Sequence, residues 1–276
     1  MGRTALIHRW TGTRSDSSVS SLPRVNEPHA DVVEEGRRLV TLAEQENLPL
    51  RLLGGVAVRL RGPRTGHSAF ERPYADLDFA AAKRSSGNTA SFFAAAGYVP
   101  HVAFNALQGG ERLLFFDEAN MRQVDVFVGA FSMSHKIPLA ERLELEPVSV
   151  PLAELLLTKL QIAELNEKDV RDALALLHEH PVGDEDGDTV NAARVAVLCA
   201  ADWGLWRTIT GNLEATLARL DAYALSADEK SAVAERAQAL LDRIEAEPKS
   251  RAWRLRARIG ERKRWYELPE EVAGGP

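Results

Sequence analysis

Apolar positions recur along this chain at two spacings, one helical and one extended. Val33, Leu39, Val40 and Leu42 lay a stripe along one face of Ala30 to Glu46, the period of an amphipathic helix. Leu50 to Leu53 is a short apolar strand that runs into Gly54–Gly55, and V-A-V-R-L-R after that turn predicts a helix. A second strand follows in Y-A-D-L-D-F, and Ser86-Gly87-Asn88-Thr89 offers an N-cap for a helix ending before Gly97. Val99 to Phe104, Glu111 to Phe116 and Gln123 to Val128 read as strands. N-A-L-Q-G-G separates the first two and D-E-A-N lies between the last two, both of them turn chemistry suited to hairpins.

The second half changes character. Pro151 opens a helical region from Leu152 to about His178, with Asn166 placed to cap a second helix or mark a kink. The acidic, Gly-containing run Pro181 to Asp188 reads as a linker. Beyond it Val190 to Ala201, Leu213 to Tyr223, Asp228 to Glu247 and Ser250 to Tyr266 all have helical patterning, and Ser226 with Glu229 makes a capping box. The expected organisation is a flexible segment over residues 1–28, a core domain over 29–180 and a helical domain over 189–276.

Composition narrows the class. A formal net charge of −6 argues against general coating of nucleic acid or anionic membrane. The single cysteine, Cys199, sits in an apolar helical run and reads as a buried, inert thiol. With no membrane-length apolar stretch and no secretory signal at the start, the expectation is a cytoplasmic protein with no membrane partner.

The candidate chemistry lies between Leu50 and Val128. Residues i and i+2 of a strand share a face, so Asp76 and Asp78 aim at one point while Leu77 faces the core. Carboxylates that close repel unless a cation lies between them, and Mg²⁺ is suited to one or two carboxylates plus substrate phosphates. Val124-Asp125-Val126 supplies a third carboxylate on a later strand. Gly54 and Gly55 offer backbone N–H groups at a helix start, where a phosphate docks without side-chain obstruction. Among Arg59, Arg61, Arg64 and Arg72, the last lies nearest the carboxylates and is the candidate phosphate clamp. His67, with no partner evident, reads as an exposed loop residue.

These blocks (G-G, then D-L-D-F, then V-D-V) resemble the signature of the DNA polymerase beta-type nucleotidyltransferase superfamily. Leu156-Leu157-Thr158-Lys159-Leu160, followed by K-D-x-x-D at Lys168 to Asp172, is similar to the AbiEii and MenT branch, known chiefly as toxins of toxin–antitoxin pairs. The resemblance covers about residues 50–177. It implies an α+β fold, a nucleotidyltransferase-type mixed sheet flanked by helices and followed by a helical C-terminal domain. It also implies NTP as substrate, two Mg²⁺ ions on Asp76, Asp78 and Asp125, and Lys159 on the triphosphate. Asp169 would support the site or activate the acceptor, and Asp172 would hold its geometry. On residues alone, Asp169 and Asp172 are an i,i+3 pair on one helix face. The acceptor stays open between a macromolecule such as a tRNA end, with an antitoxin as protein partner, and a small hydroxylated compound such as an aminoglycoside. A non-catalytic nucleotide-binding protein is the third reading. The C-terminal run R-A-W-R-L-R-A-R-I-G-E-R-K-R-W-Y either contacts RNA through basic and aromatic side chains or packs its aromatics inward with arginines in water.

Overall fold

The sequence places Asp76, Asp78 and Asp125 on strands, and the computed structural model, which describes residues 27–62 and 66–268, brings those strands side by side. Five strands form the main sheet: β1 (Leu50–Leu53), β2 (Leu77–Ala81), β3 (Val99–Pro100), β4 (Arg112–Asp117) and β5 (Arg122–Val128). Their order is β1-β2-β5-β4-β3, with β2 and β5 parallel and every other neighbouring pair antiparallel. The molecule is mixed α+β, with this mixed sheet and a larger share of helix. Helix α1 (Val32–Gln45) packs near β1 and β2, and a Cβ added at its Gly36 would meet Leu52 and Leu77. Leu77, Phe79, Phe115, Val124 and Val126 are fully buried, while Asp78 and Asp125, one residue out of phase, project from the opposite face.

Helix α2 (Gly54–Arg61) starts directly from β1, with Gly54 at φ +65°, a left-handed conformation that glycine adopts without a Cβ penalty. Helix α3 (Ser86–Ala95) buries Phe92 and Phe93, and the Phe93 ring stacks on Phe115 at 4.6 Å. The expected strand from Val99 to Phe104 is mostly helix. Only Val99 and Pro100 pair with β4, and α4 (Val102–Gln108) follows, because Pro100 donates no hydrogen bond and the His101 ring caps Phe104 N–H. The side chain of Asn105 in α4 then bonds both backbone groups of Leu114, covering the edge of β4 that β3 leaves free.

The long helical region divides into α5 (Leu152–Leu160) and α6 (Glu167–Glu179), and Asn166 caps the second by accepting from Asp169 N–H. Pro181 to Asp188 is not plain linker. Val182–Gly183 pairs in parallel with Val190–Asn191, after which α7 (Ala192–Ala201) begins. Helix α8 (Trp203–Leu217) starts ten residues before the expected Leu213, because Asp202 accepts from Gly204 and Leu205 N–H and caps it. Helix α9 (Ala227–Ala246) carries the Ser226–Glu229 capping box. Helix α10 (Arg251–Ile259) ends at Gly260, whose φ is +59°. Buried apolar residues from Leu39 to Ile244 join in one cluster that spans both sides of residues 181–188. No helix among the described residues is long and apolar enough to cross a membrane. Most of the expected flexible segment 1–28 lies outside the described residues.

Candidate functional site

Parallel pairing of β2 with β5 sets Asp78 directly beside Asp125 in register. Both face away from the α1 core, and Leu53, the last residue of β1, flanks Asp78 on its other side. Asp76 lies one residue before β2, at the surface, and its carboxylate accepts from the backbone N–H of Gln123. The three carboxylates therefore share one region, although Asp76 stands outside the strand that the alternation predicts. No hydrogen bond or ion pair to the Asp78 carboxylate occurs among the described residues. Burial, then the charge of Asp125, pushes the Asp78 carboxyl up to about 6, against an opposing pull from Lys159. Partial desolvation and Asp125 raise Asp76 as well.

Asp125 is not bare. Its Oδ1 takes Nε and Nη2 of Arg112 at 2.7 and 2.6 Å, and its Oδ2 takes Nε2 of Gln123 at 2.8 Å. Sequence reading missed both residues. Arg112 was legible only once the hairpin register was known, because Leu114 sits opposite Asp125 and Arg112 two residues earlier shares its face. Among the described residues no three carboxylate, imidazole or thiolate groups are already gathered as a metal shell.

The glycine turn closes over these acids. A Cβ added at Gly54 would run into Oδ2 of Asp78, and one added at Gly55 would run into Nη2 of Arg72. No side chain caps the start of α2, so its first N–H groups have no side-chain acceptor there. Arg72 forms a two-point pair with Asp172, Nε to Oδ1 at 2.9 Å and Nη2 to Oδ2 at 2.7 Å, and lies 4.4 Å above the Tyr74 ring. Asp172 also pairs with Lys159 at 2.8 Å, and Lys159 reaches Asp169 at 3.4 Å. Burial works against the Lys159 charge, but Asp172, Asp169 and Asp78 outweigh it and hold the ammonium above its usual range. Burial likewise opposes ionisation of Asp172, and Lys159 and Arg72 override it and lower the carboxyl. At Asp169 burial wins over Lys159, and the carboxyl is raised. All eight candidate residues, Gly54, Gly55, Arg72, Asp76, Asp78, Asp125, Lys159 and Asp169, thus belong to one charged neighbourhood, with Asp172 binding its two cations together.

Other sequence candidates go elsewhere. Arg61 pairs with Glu146 at 2.8 Å, and Arg64 lies outside the described residues. His67 is not a free loop residue: its Nε2 is 3.4 Å from Glu229 and its ring packs 5.2 Å from His178. Burial pushes the Cys199 thiol up to about 12, consistent with an inert core residue. The C-terminal aromatics pack on the protein itself. Trp253 lies 5.2 Å from Trp206 and Trp265 lies 6.0 Å from Trp203, while Arg251, Arg254 and Arg258 stand in solvent. No family model matches the chain, and no curated protein is significantly similar to it.

Proposed function

We propose that this protein is a metal-dependent nucleotidyltransferase that moves a nucleoside monophosphate from an NTP to an acceptor hydroxyl, with an RNA end such as that of tRNA as acceptor. The observation that carries the reading is the in-register pair Asp78–Asp125, covered by the Gly54–Gly55 turn and faced by the buried Lys159 ammonium. Negative charge to hold a hard cation and positive charge to hold phosphate stand on either side of one glycine turn.

The donor set fits Mg²⁺. Asp78 is a carboxylate with unused lone pairs, and burial together with the neighbouring Asp125 raises its pKa. Asp76 keeps acceptor capacity beyond one backbone N–H, and Asp125 shares its charge with Arg112 and Gln123. Asp76, Asp78 and Asp125 would hold the metal, which when bound supplies polarisation of the α-phosphate, stabilisation of leaving pyrophosphate and a more acidic acceptor hydroxyl.

The protein's own groups do the rest. Lys159, kept charged by three acids, offsets negative charge on the β- and γ-phosphates. Arg72 adds a second positive charge beneath Gly55 and, through Asp172, fixes where Lys159 sits. The open N–H groups at the start of α2 donate to phosphate oxygens. Asp169, its carboxyl raised, is placed to accept a proton near Lys159. Pyrophosphate release tests this. The protein is incubated with Mg²⁺, each NTP and either total tRNA or a panel of hydroxylated small compounds. Release that needs both Mg²⁺ and an acceptor, and that disappears in Asp78→Ala, supports the reading. Release from the variant at the unaltered rate would refute it.

A further inference from the structure

The sheet face that carries the acids continues past them into a pocket. Gln123 lies between the two. Its backbone N–H serves Asp76, its side chain serves Asp125, and the same residue lines a cavity of about 230 Å³ at the far edge of the sheet. Phe116 is directly across from Gln123 on β4, and Val99 is directly across from Phe116 on β3. One cross-strand row therefore runs from Asp76 through Gln123 and Phe116 to Val99, on a single face of the sheet. Leu114 adds to the floor from the next row, beside Asp125, and α4 supplies the outer wall with Val102. The Asn105–Leu114 hydrogen bonds fix α4 against β4, and the Phe104 ring of α4 lies 5.9 Å from the Arg112 guanidinium that binds Asp125.

We propose that this pocket receives the terminal nucleobase of the acceptor, so that the attached ribose hydroxyls lie over Asp76, Asp78 and Asp125. The inference rests on the nucleotidyltransferase reading above and deepens it by naming the acceptor's recognition element. Three observations support it. The cavity exceeds the about 150 Å³ that encloses a benzene ring in a protein core, so a planar base has room. Its walls are largely apolar, and Val99 and Val102 stand 44% and 74% exposed there. An open apolar wall beside charged residues is what a stacked ring would cover, by the same physics that lets proteins hold single-stranded bases.

Binding to the whole protein without NTP tests the pocket apart from the chemistry. The probes are a short oligoribonucleotide ending in adenosine, the same strand with an abasic 3′ ribose, and free adenosine. The wild type is expected to bind the adenosine-ended strand about tenfold more tightly than the abasic one, within the range for one stacked base. Val102→Asp, at a position too exposed to disturb folding, should remove that difference and leave the abasic strand's affinity unchanged. Phe116→Ala should do the same, and unaltered thermal melting would show that it folds. Adenosine competing with the strand would assign recognition to the base alone, and no competition would assign it to the base together with its backbone; both support the site provided Val102→Asp abolishes the preference. Equal binding of the two strands by the wild type, or binding of neither, overturns the proposal. A base preference lost in Val102→Asp, in a protein that releases no pyrophosphate from NTP, would keep the pocket and reject the transferase reading. Pyrophosphate release with a strand preference untouched by Val102→Asp would do the reverse.

Discussion

Burial and the neighbouring Asp125 push the Asp78 carboxyl from its ordinary 3.8 to about 6. The sign of the consequence follows from linkage. Between about pH 4 and pH 6 the unfolded chain loses this proton before the folded protein does, so stability falls as pH rises through that window. Above about pH 6 the loss is complete. Asp78→Asn in metal-free protein is therefore expected to gain about 1–2 kcal/mol at pH 8, after allowance for solvent at the site, and almost nothing at pH 4. Added Mg²⁺ should raise the melting temperature of the wild type more than that of the variant. A variant less stable than wild type at pH 8 would show that contacts of the Asp78 carboxylate outweigh the cost of its buried charge. Asp172 makes the opposite case, because Lys159 and Arg72 both depend on it. Asp172→Ala removes the acid that both buried cations share and leaves Asp169 and Asp78 as the acids around Lys159, and chemical denaturation should register a loss of about 3–5 kcal/mol. A loss below about 1 kcal/mol would mean that the cluster is more open to water than its burial indicates.

At the scale of elements, the β1–α2 turn controls the site. A side chain at Gly54 meets the Asp78 carboxylate and also requires a left-handed backbone, so Gly54→Ala is expected to cost about 1–3 kcal/mol and to abolish Mg²⁺-dependent stabilisation. Unchanged Mg²⁺ stabilisation in that variant would separate the turn from the carboxylates. This unit was legible in the sequence because short-range rules govern it: G-G after an apolar strand, D-h-D with period two, and h-D-h on a later strand. The parallel pairing of β2 and β5 was not legible from spacing alone, and neither was Arg112, since a cross-strand partner depends on register. Pro100 was the signal that Val99 to Phe104 does not continue as a strand, and the pocket wall formed by α4 follows from that one break. Of the two readings open for Asn166, a cap or a kink, the structure takes the cap, which needs only the three residues after it. The start of α8 at Trp203 was missed, although Asp202 two residues before Gly204 is a cap of the same kind.

For the whole molecule, the apolar cluster extends from the sheet through α5 and α6 into α7, α8 and α9, so the helices after residue 188 buttress the helices that carry Lys159, Asp169 and Asp172. The acidic run 181–188 suggested a boundary because its composition is that of a linker. Ion pairs across it, Arg142 with Asp186 and Arg243 with Asp184, tie that run to both sides. The basic C-terminal run offered two readings, and its aromatic rings take the inward one, with Arg251, Arg254 and Arg258 exposed. Transfer of label to RNA is the decisive measurement. Purified protein is incubated with Mg²⁺, total tRNA and each NTP in turn, radiolabelled at the α-phosphate, and the RNA is run on a denaturing gel. Labelled tRNA is expected with at least one NTP, and none with Asp76→Ala or Asp78→Ala protein that melts like a folded chain. Labelled RNA of equal intensity from the folded variants, or an unlabelled RNA lane with all four nucleotides, would contradict the transferase reading.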